Sequence, residues 1–225
     1  MIKGCIFDLD GVIVDTAKYH FRAWKQLADY LDITFTEEDN EKMKGLSRVA
    51  SLEILLKLGK QSYLEEQKED FLKQKNQSYL ELVADMDAAE ILPGVLDLLA
   101  ELRKYDMKIA LGSASKNARL ILDKISLLDE FDAIVDGNDV KRAKPDPEVF
   151  LTGATLLGIR PEAAIVWEDS AKGIDAALTG GFLTVGIGQA KYLNHAHKVV
   201  ENLLDIDIDF IRDLDANSNA VLTMT

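Results

Sequence analysis

The chain has 225 residues, 26 Lys and Arg against 39 Asp and Glu, and a formal net charge of −13 at pH 7. Apolar residues make up 48% and charged residues 29%, globular proportions that exclude a disordered or fibrous chain. So acidic a surface repels nucleic acid and anionic membranes, and the single cysteine, Cys5, excludes an intrachain disulfide. Aspartate at position 8 leaves no room for an apolar signal core, and no run of 18 apolar residues occurs. A soluble, cytoplasmic, monomeric protein acting on small molecules is the expectation.

In chain order, Lys3 to Phe7 is a short apolar run that stops at Asp8-Leu9-Asp10-Gly11, the pattern of a buried strand entering a turn. Three helical stripes follow without a β-rich run between them. The first joins Phe21, Trp24, Leu27 and Leu31 behind an Asp15 N-cap; the second joins Leu52, Leu55, Leu56 and Leu58. The third carries Phe71, Leu72, Tyr79, Leu80 and Val83. Gly94 to Lys104 then begins a strand–helix alternation, with Val95, Leu98, Leu99 and Leu102 on one helix face. Strands are predicted at 108–113, 133–136, 164–169 and 183–187. Such alternation implies a parallel, Rossmann-like α/β sheet. The core is therefore expected at 1–14 and 92–225, with a helical cap of 15–91 inserted after the first strand. Its hinges fall at Gly11 to Asp15 and Leu92-Pro93-Gly94. Asp205 to Asp209 reads as an edge strand or loop, and Asp213 to Thr225 as a frayed tail.

Ligands of a parallel sheet bind beyond the carboxyl ends of its strands. The residues there are Asp8, Asp10, Ser113, Lys116, Asn117, Lys144, Glu168 and Asp169. Four carboxylates crowded at one edge repel unless a cation lies among them, and oxygen donors beside a phosphate suit Mg²⁺. Magnesium, lysine and a carboxylate nucleophile are the parts of phosphoryl transfer. A calcium loop is disfavoured, because its glycine belongs at loop position six and Gly11 is fourth from Asp8. Asp213-Leu214-Asp215 shows that the Asp-x-Asp pattern also arises without a buried strand before it. Glu168-Asp169 could be an acidic pair at a helix N-terminus, and Lys144 an exposed lysine. His195 and His197 lack the further ligands of a zinc site, and Cys5 reads as packing.

Asp8-Leu9-Asp10-Gly11-Val12 with Asp15-Thr16, then Ser113, Lys144 and Glu168-Asp169 in order, resemble the four motifs of the haloacid dehalogenase superfamily. Thr16 to Lys25, Lys44 to Arg48, Lys75-Asn76 and Ser113 to Asn117 narrow the resemblance to its hexose-phosphate mutase branch. The resemblance implies Asp8 as nucleophile and Asp10 as general acid/base. It places Mg²⁺ on the side chains of Asp8, Glu168 and Asp169 and on the backbone carbonyl of Asp10. Ser113, Ala114 and Lys144 would bind the transferring phosphoryl group, and Arg48, Ser115, Lys116 and Asn117 the other phosphate. Thr16, His20, Gly45 and Lys75 would act with substrate and Asp10 when the cap closes, and Trp24, Leu46 and Ser51 would line the sugar pocket. The implied reaction interconverts β-glucose 1-phosphate and glucose 6-phosphate through β-glucose 1,6-bisphosphate. A sugar-phosphate or phosphoglycolate phosphatase shares this core; a dehalogenase needs neither the metal nor Asp10, and an idle phosphosugar-binding module needs no Asp8. An aspartate of ordinary pKa, ~3.9, must rise by ~3 units, about 4 kcal/mol, to serve as an acid at pH 7. Gly137 to Arg142 departs from the superfamily pattern and loosens the expectation for the sugar.

Overall fold

The structure is a computed structural model that describes the backbone of residues 1–222 and side chains through 216. Its elements, in chain order, are β1 (Gly4–Phe7), α1 (Ala17–Tyr30), α2 (Glu37–Glu41), α3 (Arg48–Leu58), α4 (Glu65–Leu82) and α5 (Val95–Lys104). They continue with β2 (Lys108–Gly112), α6 (Ala118–Lys124), β3 (Ala133–Val135), α7 (Glu148–Leu157), β4 (Ala164–Glu168) and α8 (Ala171–Thr179). The chain closes through β5 (Leu183–Ile187), α9 (Ala190–Leu193), β6 (Lys198–Val200) and α10 (Ile208–Leu222).

All six strands are parallel, in the order β3-β2-β1-β4-β5-β6, so β1 and β4 flank the point where the winding reverses. Alternate residues of each central strand go to opposite faces. Cys5, Phe7, Ile109, Leu111, Ile165 and Trp167 enter one apolar cluster, with α5 and α6 residues such as Leu98, Leu102 and Ile121. Ile6, Ala110 and Val166 enter the other, against Phe150 and Ala154 of α7 and Ala176 and Ala177 of α8. Both faces are covered, which is why these strands read as continuous apolar runs. Trp167 is fully buried, stacked on Phe7 with ring centroids 5.7 Å apart, and faces away from Glu168 as the alternation requires. Cys5 is equally buried, and burial pushes its thiol up to about 12, so it is unreactive packing.

Helices α1 to α4 form the inserted layer, with an apolar cluster of their own around Trp24, Leu27, Leu52, Leu55 and Phe71. Leu58 lies outside that cluster and is 40% exposed, unlike its expected stripe. The base of the insert (Ala23, Tyr79, Val83, Met86) packs on the core cluster. The two connecting segments run side by side: Asp15 N–H donates to the Glu90 carbonyl at 3.1 Å and Leu92 N–H to the Ile13 carbonyl at 3.0 Å.

Three expectations are corrected or narrowed. Thr16, and not Asp15, stands at the N-cap of α1, and it caps nothing because its hydroxyl is engaged by Asp10. Of the edge strand or loop expected at Asp205 to Asp209, the loop is found through Asp207 and the strand is not: Ile208 begins α10, where Asp207 Oδ1 accepts the Phe210 N–H at 2.9 Å. The tail is helical to Leu222, because Ile208 and Ile211 bury themselves and Phe210 and Leu214 pack on the core; residues 223–225 lie outside the described residues. The sheet edges are β3 and β6, and a contact from Thr184 of β5 to His197, just before β6, at 2.9 Å occupies one of the pair His195 and His197.

Candidate active site

The loop after β1 is short because Leu9 and Gly11 bond back on themselves: Ile13 N–H reaches the Leu9 carbonyl at 2.9 Å and Gly11 N–H the Val14 carbonyl at 2.8 Å. Gly11 has φ +79°, and a Cβ there would stand 2.2 Å from Asp169 Oδ2, so only glycine lets this turn lie against the β4 loop. Asp8 is thereby fixed at the sheet edge, its N–H donating to the Trp167 carbonyl at 2.9 Å, and is buried.

Lys144 follows a different route. It precedes a cis Pro145, and its side chain is wholly buried, with Nζ 2.7 Å from Asp8 Oδ1 and 2.7 Å from Glu168 Oε2. The exposed-lysine alternative is therefore excluded. Glu168 is held on its other oxygen by Ser170, whose N–H (3.1 Å) and hydroxyl (2.7 Å) both donate to Oε1. Ser170 Oγ in turn accepts the Gly173 N–H at 3.1 Å and caps α8. Burial raises the Asp8 pKa well above the ordinary carboxylate range; Lys144 works against this, and Glu168, Asp10 and Asp169 reinforce it. Asp169 is pushed up to about 7 by burial and by the Glu168 charge, with Lys44 opposing. For Lys144, burial disfavours the ammonium, but Asp8 and Glu168 outweigh it and raise the pKa.

Asp8, Glu168 and Asp169 present carboxylate oxygens within 4.8 Å of one another. Three hard oxygen donors, with one carboxyl driven toward its neutral form by burial and by its neighbours' charge, fit a divalent cation such as Mg²⁺. Asp10 is not among them. Its carboxylate accepts from the Thr16 hydroxyl and lies 3.8 Å from His20 Nε2, facing the insert. Its pKa is raised by burial, with Thr16, Lys75 and Lys144 opposing.

Behind the carboxylates, Ser113 is fully buried, and its Oγ accepts the Ser115 N–H at 3.1 Å, while Ser115 Oγ accepts from Asn117 N–H at 3.2 Å. These paired turns shape the loop after β2. Asn117 Nδ2 then donates to Asn76 Oδ1 of α4 at 3.0 Å, and Lys44 Nζ stands 3.5 Å from Asp169, two polar contacts that join the insert to the core at the rim of the site. Lys75 is buried between the Trp24 and Tyr79 rings (4.9 and 4.8 Å), with His20 Nδ1 at 3.0 Å from its Nζ. Burial and Arg48 lower Lys75 to about 7, and burial with Lys75 and Arg48 holds His20 well below its usual range.

A cavity of about 800 Å³ opens between insert and sheet edge. Asp8, Asp10 and Asp169 line it, as do Ala114, Ser115, Lys116, Asn117, His20, Trp24, Gly45, Leu46, Arg48, Ser51 and Lys75. Ser113, Lys144 and Glu168 are buried in the layer beneath, and Thr16 is buried against Asp10 outside the lining. Sequence reasoning did not assign Ser170, Lys44 or Asn76. Lys44 and Asn76 sat in recognised segments, whereas nothing in the sequence marks the hold of Ser170 on Glu168.

The profile of haloacid dehalogenase-like hydrolases matches residues 2–181. The chain is 39% identical to the β-phosphoglucomutase of Bacillus subtilis over 214 residues, 94% of this chain and 95% of that one. It is 30% identical to a phosphorylated-carbohydrate phosphatase of Thermotoga maritima, covering 89% and 91%. The crystal structure of β-phosphoglucomutase from Clostridium difficile superposes with a TM-score of 0.94 at 38% identity, covering 98% of this chain and all of the other. The motif order, the reversed winding beside β1 and these likenesses agree, and the chain belongs to the haloacid dehalogenase-like hydrolase family.

Proposed function

We propose that this protein is a Mg²⁺-dependent mutase that interconverts β-glucose 1-phosphate and glucose 6-phosphate. The observation that carries the reading is one cavity in which the carboxylates Asp8 and Asp10 share walls with the cations Arg48 and Lys116, roofed by the insert. The likeness to two β-phosphoglucomutases over nearly the whole chain supports the sugar. Asp8, Glu168, Asp169 and the Asp10 backbone carbonyl would hold the ion, which supplies the positive charge that lets carboxylates and a phosphate dianion approach.

An Asp8 oxygen attacks phosphorus, the bond from phosphorus to the sugar oxygen breaks, and an aspartyl-phosphate forms. The Asp10 carboxyl gives its proton to the departing oxygen, and in the reverse transfer takes the proton of the attacking hydroxyl. Burial already drives Asp10 toward the protonated form this requires. Ser113, Ala114 and Lys144 bind the phosphoryl group in transit, and Arg48, Ser115, Lys116 and Asn117 bind the other phosphate. Between the two transfers, β-glucose 1,6-bisphosphate turns end for end. Residues 15–91 act as a cap on a core of 1–14 and 92–225, excluding water that would hydrolyse the aspartyl-phosphate. His20 and Lys75 meet Asp10 from the cap side, Thr16 fixes its carboxyl, and Gly45, Trp24, Leu46 and Ser51 bound the sugar. The enzyme acts as a cytoplasmic monomer on small sugar phosphates, with no nucleic-acid or membrane partner.

A second reading, a sugar-phosphate phosphatase, draws on the Thermotoga maritima relative. A coupled assay separates them: glucose 6-phosphate formed from β-glucose 1-phosphate without inorganic phosphate supports the mutase, and stoichiometric phosphate release overturns it.

A further inference from the structure

In a chain with 39 carboxylates and 26 cations, two of the lysines lining the cavity are neutralised by carboxylates. Lys44 pairs with Glu41 at 3.1 Å and Asp169 at 3.5 Å, and Lys73 with Asp70 at 3.0 Å. Among the described residues, four lining Lys and Arg side chains have no carboxylate within 4.0 Å: Lys75, which is enclosed by the Trp24 and Tyr79 rings, and Arg48, Lys116 and Lys141. Lys141 belongs to the 137–142 stretch whose departure from the superfamily pattern loosened the expectation for the sugar.

The stretch is a built wall of the cavity. At one end, Gly137 N–H donates to the Ser115 carbonyl at 3.2 Å, and a Cβ on Gly137 would stand 2.4 Å from the Ala114 carbonyl oxygen. Asn138 Nδ2 donates to the Lys116 carbonyl at 3.1 Å. At the other end, the Lys141 and Arg142 N–H groups each donate to the Glu148 carboxylate at 3.1 Å. Buried Asp136 braces the middle, accepting the Asn138 N–H at 2.7 Å and pairing with Arg119 at 3.3 Å. The stretch is thus tied to the phosphate-binding loop through Gly137 and Asn138 and to the foot of α7 through the Lys141 N–H, while the Lys141 ammonium has no carboxylate within 4.0 Å.

We propose that Lys141 is a third cation, beside Arg48 and Lys116, for the phosphate group that is not being transferred, so that the cavity favours a sugar bisphosphate. The inference rests on the mutase reading and deepens it. A flexible lysine suits a site that must hold either end of the bisphosphate, because its three donors carry no fixed fork.

The test is calorimetric binding of glucose 1,6-bisphosphate and glucose 6-phosphate in an Asp8→Asn background, which prevents turnover, with Lys141, Lys141→Ala and Lys141→Arg. Lys141→Ala is expected to weaken bisphosphate binding about 5- to 20-fold, the size of one charge-assisted hydrogen bond in a partly solvated cavity, and Lys141→Arg to restore most of it. In the otherwise native enzyme, Lys141→Ala should raise KM by a similar factor with kcat within about twofold. A bisphosphate affinity within twofold for Lys141→Ala, or an arginine variant as weak as the alanine one, overturns the assignment. Binding is read without catalysis, so phosphate release by the native enzyme would sink the mutase reading and leave the Lys141 result standing.

Discussion

Replacing Asp169 by asparagine tests the central electrostatic claim. Asp169 sits beside Glu168 with its side chain 10% exposed, and its carboxyl is raised from 3.8 to about 7 by burial and by that neighbour. A folded-state pKa above the unfolded one means that the folded protein binds the proton more tightly. This contribution to stability is present at pH 4, falls away as pH rises from 3.8 toward 7, and is gone above 7. The shift corresponds to at most about 4 kcal/mol at 1.36 kcal/mol per unit, and the loss of the Lys44 pairing takes back part of it. Metal-free Asp169→Asn should therefore be about 2–4 kcal/mol more stable than metal-free wild type at pH 8 and nearly equal at pH 4. Saturating Mg²⁺ should narrow or reverse the gap, because the wild type gains binding free energy that the variant lacks. Urea unfolding at both pH values, in chelator and in Mg²⁺, measures all four cases. A variant no more stable than wild type at pH 8 in chelator would refute the reasoning, since the carboxylates would then not be in conflict.

Three further outcomes are expected. Lys144→Met leaves Asp8 and Glu168 buried without the ammonium that each meets at 2.7 Å, and should cost about 3–5 kcal/mol by urea unfolding as well as abolishing turnover; a loss under about 1 kcal/mol would contradict this. Thr16→Val removes the hydroxyl that holds the Asp10 carboxyl down, so the descending alkaline limb of the pH–rate profile should move to higher pH, and an unmoved limb would detach Thr16 from Asp10. Gly45→Ala places a Cβ 2.1 Å from Ser170 Oγ at a φ of +73°, so kcat/KM should fall at least about tenfold while the melting temperature changes little; an unchanged kcat/KM would mean that the insert need not approach Ser170 so closely.

The five strands foreseen were legible because sheet burial on both faces writes itself as an unbroken apolar run, and Asp8, Asp10, Ser113, Glu168 and Asp169 were legible because they follow such runs. Strand β6 was not, since Lys198–Val200 is three residues long and only its two valines are even half-buried. The last helix was hidden by the alternation of Asp205 to Asp209, which imitates a strand; the deciding contacts of Ile208, Ile211 and Leu214 are with residues far away in the chain. At the site, composition told which residues were acidic but not which acid faced which partner. That Asp10 turns toward Thr16 and His20, while Asp169 joins Asp8 and Glu168, depends on the turn at Gly11 and on the placing of α1. Lys144 lies nine residues beyond Val135, so its place past a strand end left an exposed lysine open as well, until its burial was seen.

Asp15 bonds to Glu90 and Ile13 to Leu92, so the main chain leaves the sheet and returns to it through what is in effect the neck of a hairpin. For the Rossmann scaffold the whole excursion is one long loop, and closure entropy grows only logarithmically with such length. Its contents can be lengthened, shortened or transplanted from another protein without disturbing strand register. A scaffold of this kind keeps its phosphorus chemistry fixed and changes clientele by exchanging the cassette above it.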